Sequence, residues 1–265
     1  YTIAPNPDGI DLTRTVEGLD HNGNKVISRV IEEKPLTIYL NSQEIVTAMT
    51  IGDYPEYLAV GFLTNQGMLD NSNPVKSVDF DEDLSVVIVR TETETSFEEK
   101  LKKKTRTSGC AVGTVFGDMM EGLEGLRLPS SNLRVSWLYK LSNEINQTPS
   151  LYLAAGAIHG TVLCKENRAL VYMEDVGRHN AVDKIAGWMV SNDIDGSDKI
   201  LYTTGRLTSE MVIKTAQMGI PILVSRSGFT AWGVEIADKV GLTRIGRMRG
   251  CLLYTSPSPR DVEEA

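Results

Sequence analysis

The stretch ILYTTGRLTSEMVIKTAQMGIPILVSRSGFTAWGVEIADKVGLTRI, residues 200–245, decides the fold. Three short apolar runs, 200–203, 222–224 and 242–245, read as strands. Two segments of helical spacing, 209–218 and 231–240, lie between them. Each is closed by a glycine, Gly219 or Gly241, which supplies the left-handed turn that ends a helix. Strand–helix–strand repetition with short apolar strands predicts an α/β sheet covered by helices. Ligands of such sheets gather at the loops beyond the carboxyl ends of the strands. Working upstream, 157–164 and 170–173 read as further strands and 179–190 as a helix. Pro129-Ser130-Ser131-Asn132 is the clearest domain boundary, followed by an amphipathic helix to about Ile145.

The first half has a different texture. Residues 26–31 are rich in β-branched side chains. Leu36-Thr37-Ile38-Tyr39-Leu40 alternates apolar and polar positions, Asn41-Ser42 turns the chain, and 44–50 returns, which predicts a hairpin. Residues 54–69 show helical spacing, with Pro55 suited to the first turn. Residues 78–80 and 84–89 read as two more strands. The expected organisation is therefore a polar, loose arm over 1–24, a β-rich α+β domain over 25–128, an α/β domain over 129–250, and an atypical Ser-Pro-rich tail over 251–265, read as disordered or foreign to the gene.

The chain has 265 residues, 41% hydrophobic and 23% charged, which excludes a disordered, collagenous or coiled-coil protein. No apolar run approaches the ~18 residues a membrane span needs. No secretory signal pattern opens the chain, which starts at Tyr1. A net charge of −8 argues against nucleic acid as the main partner, because phosphate backbones select basic surfaces. Residues 1–130 carry 12 basic and 21 acidic side chains, residues 131–265 carry 15 and 14. An anionic ligand is expected on the second half, although an acidic solubilising surface on the first half fits the same numbers.

Three cysteines, Cys110, Cys164 and Cys251, form no C-x-x-C, and an odd count without a secretory signal points to a reducing compartment, the cytoplasm. The three histidines, His21, His159 and His179, are far apart, so no zinc-ligand spacing exists and no metal site is expected. Cys164 lies in an apolar strand and reads as core; Cys251 follows a basic strand and stays undecided. Cys110 is flanked by Gly109 and Gly113, four residues after Arg106 and six after Lys104. Nearby cations stabilise a thiolate, the nucleophilic form. The segment has neither a helical nor a strand period and reads as a mobile loop, in which a free cysteine with incidental basic neighbours is the plainer alternative.

The densest polar cluster is Met173-Glu174-Asp175-Val176-Gly177-Arg178-His179-Asn180-Ala181-Val182-Asp183-Lys184. It follows a strand and opens a helix, where free N–H groups face anions. His179 and Asp183 are four apart, so the carboxylate is placed to orient the imidazole. An ordinary helix cap with surface charges uses the same residues. Thr203-Thr204-Gly205-Arg206 and Val224-Ser225-Arg226-Ser227-Gly228 repeat the arrangement, and three such strand ends point to a phosphate-bearing ligand. Arg247 and Arg249 are two apart on a strand-like segment and so face one way, which suits a pyrophosphate or, equally, a charged solvated edge.

These motifs resemble the formate dehydrogenase accessory sulfurtransferase family, FdhD, over residues about 25 to 250. The matching segments are Ala59-Val60-Gly61-Phe62-Leu63, Arg106-Thr107-Ser108-Gly109-Cys110, Glu174-Asp175-Val176-Gly177-Arg178-His179 with Asp183-Lys184, and Arg206-x-x-Ser209-Glu210-Met211-Val212. The resemblance implies a sulfur carrier that accepts persulfide sulfur from a cysteine desulfurase. It would pass that sulfur to the molybdenum (or tungsten) of a bis(molybdopterin guanine dinucleotide) cofactor before insertion into formate dehydrogenase. Cys110 falls on the family's persulfide cysteine. Arg249-Gly250 looks like the start of its cofactor-binding segment, which would continue through Cys251 and Leu252. The resemblance also implies a cytidine deaminase-like three-layer second domain without that fold's zinc ligands, and a homodimer.

On these grounds Cys110 is the expected catalytic residue. Arg178, His179, Arg206, Ser225, Arg247, Met248, Arg249, Gly250, Cys251 and Leu252 are the expected cofactor-binding residues. Many members of the family carry a second cysteine where this chain has Gly113, and an acidic residue where it has Gln66. A disulfide relay within the loop is thereby excluded, and a single-cysteine carrier is not. Two rival readings are a chaperone that only shields and delivers the matured cofactor, and a cysteine hydrolase using Cys110 and His179, for which no nucleophile-elbow turn is present.

Overall fold

A computed structural model describes residues 1–9, 11–69, 73–93, 105–107, 110–114, 123–249, 252–256 and 262–263; for 105–107, 110–114, 249, 252–256 and 262–263 it describes the backbone alone. Strands β1 (Thr13–Leu19) and β2 (Lys25–Ile31) form an antiparallel hairpin. The turn is held by the Asp20 carboxylate, which accepts from the backbone N–H of Asn22 and Asn24. Strands β3 (Lys34–Leu40) and β4 (Gln43–Thr50) form the expected second hairpin, followed by helix α1 (Pro55–Asn65) and strands β5 (Val75–Asp81) and β6 (Val86–Thr91). The resulting sheet has the order β4-β3-β6-β5. Leu36, Ile38 and Leu40 of β3 and Val87 and Val89 of β6 point to one face and pack under Leu58, Ala59 and Leu63 of α1. That period-2 burial is what the alternating sequence predicts.

The segment around Cys110 departs from the expected loop. Strands β7 (Thr105–Thr107) and β8 (Cys110–Thr114) pair antiparallel, with Thr107 opposite Cys110. The β-branched residues Thr105, Thr107, Val112 and Thr114 favour this extended pairing, and the neighbouring glycines obscured it. β8 passes close to β4.

The second half holds β9 (Leu133–Arg134), α2 (Val135–Gln147), α3 (Leu151–Ala155), β10 (His159–Lys165), β11 (Arg168–Asp175), α4 (Arg178–Ser191), β12 (Ile200–Thr203), α5 (Ser209–Gln217), β13 (Ile222–Ser225), α6 (Ala231–Val240), β14 (Thr243–Arg249), β15 (Leu252–Ser256) and β16 (Val262–Glu263). Six strands make one sheet in the order β11-β10-β12-β13-β14-β15. Neighbouring residues along a strand enter different cores. Leu201 and Leu223 pack with Val182, Ile185, Met211, Val212 and Ile236 of α4, α5 and α6. Ile200, Tyr202, Ile222 and Val224 pack with Leu138, Leu141 and Ile145 of α2. Helices on both faces explain why these strands read as continuous apolar runs. The fold is mixed α/β.

Among the described residues, parts of both ends of the chain are strands. Within the supposed arm, residues 13–19 form β1. Ile3 bridges Val171, with the Thr2 N–H donating to Leu170 O at 2.6 Å and the Tyr172 N–H to Ile3 O at 2.9 Å. β11 is the outer strand of the sheet, and its open backbone groups are satisfied by this segment. At the other end, residues 252–256 extend the sheet as β15, and 262–263 pair with β9. The run Leu252-Leu253-Tyr254-Thr255 has good strand propensity, which the following Ser-Pro repeats masked.

The two halves meet where α1 crosses α4. A Cβ on Gly61 would lie 1.7 Å from Asp183 O, and one on Gly187 would lie 1.8 Å from Tyr57 O. Backbone meets backbone there, and only glycine permits it.

Candidate functional site

Strands β11, β12, β13 and β14 all run in the same direction, so their carboxyl ends share one edge of the sheet. The loops there are stitched together. The Arg226 N–H donates to Thr203 O at 3.1 Å, Leu207 N–H to Gly228 O at 3.0 Å, and Arg247 N–H to Ser227 O at 2.7 Å. Four arginines with described side chains belong to these loops and strand ends. Arg178 is buried, and its stem lies against Gly205, where a Cβ would come within 2.9 Å. Arg206 and Arg247 are exposed. Arg226 stands over the Tyr152 ring at 5.3 Å.

His159 joins them because β10 runs the opposite way and starts at this edge. Its Nδ1 is 3.3 Å from Thr204 Oγ1, which also accepts the Gly160 N–H at 3.1 Å. Burial, and then the charges of Arg178 and Arg206, hold its pKa below the usual imidazole value.

The expected site residues divide. Arg178, Arg206 and Arg247 lie on this edge. The Ser225 hydroxyl is committed to the scaffold: it donates to Gly205 O at 2.6 Å and accepts the Ser227 N–H at 2.8 Å. Met248 has 0% exposure and packs in the core beside Ile245, so its side chain lines no surface. Arg247 has φ +56° at a bulge between Gly246 and Arg249. The two-residue alternation that would put Arg247 and Arg249 on one face is therefore broken. Gly250 and Cys251 lie outside the described residues, as do the side chains of Cys110, Arg249 and Leu252.

His179 is buried, and its Nε2 is 3.3 Å from Glu210 Oε2. Burial first, then Lys214 and Arg178, push its pKa down to about 2, so the imidazole is neutral. The expected His179–Asp183 pair does not form. The Lys214 ammonium of α5 draws Asp183 instead, donating to Oδ1 at 2.7 Å, and Asn65 Nδ2 donates to the same oxygen at 2.7 Å.

A second buried cluster lies beside it. Lys184 Nζ is 2.6 Å from Asp175 Oδ2, also bonds Asp53, and donates to Glu174 O at 3.0 Å. Burial alone would lower the Lys184 pKa, but Asp175 and Asp53 outweigh it and raise it. Thr50 donates to Asp175 Oδ2, and Asn180 Nδ2 bridges Asp175 Oδ1 at 2.9 Å and Met49 O at 2.8 Å. Glu174 accepts the N–H groups of Leu151 and Tyr152 at 2.9 and 2.8 Å, holding the start of α3. The E-D-V-G-R-H segment, with Asn180 and Lys184 just after it, thus clamps the end of β4 and Asp53 ahead of α1 while placing Arg178 at the carboxyl edge.

Sequence reasoning did not single out Thr50, Asp53, Asn65 or Lys214, and it met His159 only as one of three scattered histidines and Thr204 only within a strand-end motif. Arg226 was legible in the repeated strand-end pattern but was not among the chosen site residues. Cys164 is fully buried as expected, and burial pushes its thiol pKa up. Two clefts lie away from this edge, one lined by Leu123, Arg127, Ile236 and Lys239, the other by Val60, Leu69, Val75 and Val190. No described helix is long and apolar enough to cross a membrane.

Residues 31–259 match the model of the FdhD/NarQ family. The chain is similar to proteins named sulfur carrier protein FdhD. The one from Listeria monocytogenes serovar 1/2a is 30% identical over 85% of this chain and 88% of the relative. The one from Bacillus subtilis strain 168 is 29% identical over 91% and 93%, and that from Wolinella succinogenes is 33% identical over 83% and 78%. Among solved structures, a protein from Desulfotalea psychrophila described as a candidate formate dehydrogenase accessory protein superposes with a TM-score of 0.75. It is 26% identical, and the match covers 95% of this chain and 98% of that one.

Proposed function

The chain belongs to the FdhD/NarQ family, and on that premise we propose that it is a sulfur carrier that moves persulfide sulfur through Cys110 to an anionic pterin cofactor held at the carboxyl edge. The observation that carries this reading is the convergence of Arg178, Arg206, Arg226 and Arg247 on the ends of four strands of one sheet. A bis(molybdopterin guanine dinucleotide) carries two pyrophosphates, and guanidinium groups pair such oxygens bidentately. The cofactor is the acceptor, bound as a substrate.

In this reading the Cys110 thiolate attacks the terminal sulfur of a persulfide on a cysteine desulfurase, and the donor cysteine leaves as a thiolate. Cys110 then bears the extra sulfur as a persulfide. As the outer sulfur passes to the cofactor the S–S bond breaks, Cys110 leaves as a thiolate, and the two electrons that reduce the transferred sulfur would come from the reduced cofactor, before it enters formate dehydrogenase. The short hairpin of Cys110 runs near β4, whose last residue, Thr50, bonds Asp175 at the root of the arginine edge. We read the second domain as cytidine deaminase-like in its layering, and the protein as a cytoplasmic homodimer with the desulfurase and formate dehydrogenase as its partners.

The test is Cys110→Ala. It should abolish activation of formate dehydrogenase while leaving guanine nucleotide binding intact. Incubation of the unsubstituted protein with a desulfurase and cysteine should add the mass of one sulfur atom to Cys110. Activation that survives the substitution would remove the sulfur step and leave a chaperone that delivers the matured cofactor.

A further inference from the structure

We propose that His159 is a binding residue of the carboxyl edge that takes up a proton when an anion engages Arg178 and Arg206, making anion capture proton-coupled. This rests on the anion-binding reading of the edge given above and adds a regulation to it.

The geometry comes first. His159 opens β10 at the same edge as the Arg178 and Arg206 turns, and its Nδ1 is tied to Thr204 Oγ1 at 3.3 Å, two residues before Arg206. Among the described residues no hydrogen bond occupies Nε2, and the ring is only half-buried. Thr204 fixes the ring plane, and the Gly160 N–H fixes Thr204 at 3.1 Å. The imidazole is therefore a preset donor or acceptor on the turn that carries Arg206 and packs the stem of Arg178. Four charged or titratable groups bear on it: Arg178 and Arg206 lower its proton affinity, Asp175 raises it, and His179, itself kept neutral by burial, feels its charge. Asp175 is itself paired with Lys184.

In the free protein, burial and the two guanidiniums keep His159 deprotonated near neutrality. An anion set between Arg178 and Arg206 cancels the repulsion that holds the proton off and offers Nε2–H an acceptor. The bound state then favours the imidazolium. Between the depressed midpoint of the free form and the raised midpoint of the bound form, each anion bound takes a proton from solvent. Affinity must rise as pH falls through that window and stay flat above it, because the coupling between proton and anion is reciprocal.

The full-length chain has three histidines, so its imidazole resonances can be followed by NMR and His159 identified with H159Q. Inorganic sulfate is the probe because it does not titrate in this range. Saturating sulfate should raise the His159 midpoint by about one pH unit, the effect expected of a single close charge, and sulfate should bind about tenfold tighter at the acid end than at the alkaline end. In H159Q the pH dependence should vanish, with affinity near the alkaline limit of the unsubstituted protein. Sulfate that binds without moving the His159 midpoint overturns the proton coupling alone. Absence of sulfate binding at the Arg178 and Arg206 amides overturns the anion edge and the coupling together.

Discussion

The seam between α1 and α4 and the arginine edge of the six-stranded sheet draw their charges from the same short segment, yet they use them in opposite ways. Asp175, Asp183 and Lys184 are each no more than 1% exposed, and every one is matched by a partner from another element: Thr50 and Asp53, Asn65 and Lys214. Arg178, in the same segment, is buried at the carboxyl edge with its stem against Gly205, whereas Arg206 and Arg247 on that edge are open to solvent. Density of polar residues is therefore a poor guide to where a ligand sits. Buried charges that are fully matched fix how two halves of a protein dock, at the cost of their desolvation, whereas charges left on a rim are free to be matched by something else.

The sharpest way to break this contrast is to spoil the seam. Gly187→Ala would force a methyl group into the Tyr57 carbonyl, with backbone on both sides and no flexible side chain to give way. It should cost at least about 4 kcal/mol, among the largest effects of a single substitution, and chemical denaturation or loss of soluble protein will show it. Lys184→Met leaves the buried Asp175 and the half-buried Asp53 without their ammonium and should cost about 3–5 kcal/mol in the same measurement. A loss below about 1 kcal/mol would mean that the cluster is not specifying the docking.

A milder effect comes from pH. The His179 pKa lies near 2 in the folded chain against an ordinary 6.5, so below pH 6.5 the unfolded state binds more protons and stability falls as pH drops. The slope is about 1.4 kcal/mol per pH unit, or roughly 2 kcal/mol between pH 6.5 and 5. Denaturation of His179→Asn should show a shallower acid slope. The smallest effect on stability belongs to the rim. Arg206→Ala should leave the unfolding midpoint within about 0.5 kcal/mol, while pyrophosphate affinity, read by calorimetry, drops roughly tenfold. Were the rim variant as destabilising as the seam variants, the division between the two regions would fail.

The sequence was most readable where local rules dominate. The strand over 200–203 and the helix over 231–240 coincide with β12 and α6, because short apolar runs, helical spacing and a closing glycine are local signals. The hairpin of β3 and β4 was legible in its alternation, and three of the arginines were visible as repeated strand-end turns. What escaped depends on distance along the chain. Asp53 and Lys184 are separated by 131 positions, and Asn65 and Asp183 by 118, so no window of sequence couples them. The bulge at Arg247 escaped because a left-handed arginine violates the preference of its own residue type; the surrounding sheet imposes it. Ser225 read as a ligand group because a hydroxyl beside an arginine looks alike whether it faces solvent or a neighbouring carbonyl.

Ile3 lies along the outer flank of β11 and closes that side of the sheet. Removal of residues 1–9 would uncover a ready template for a foreign strand. Samples altered there should clump on storage although every arginine of the rim is intact.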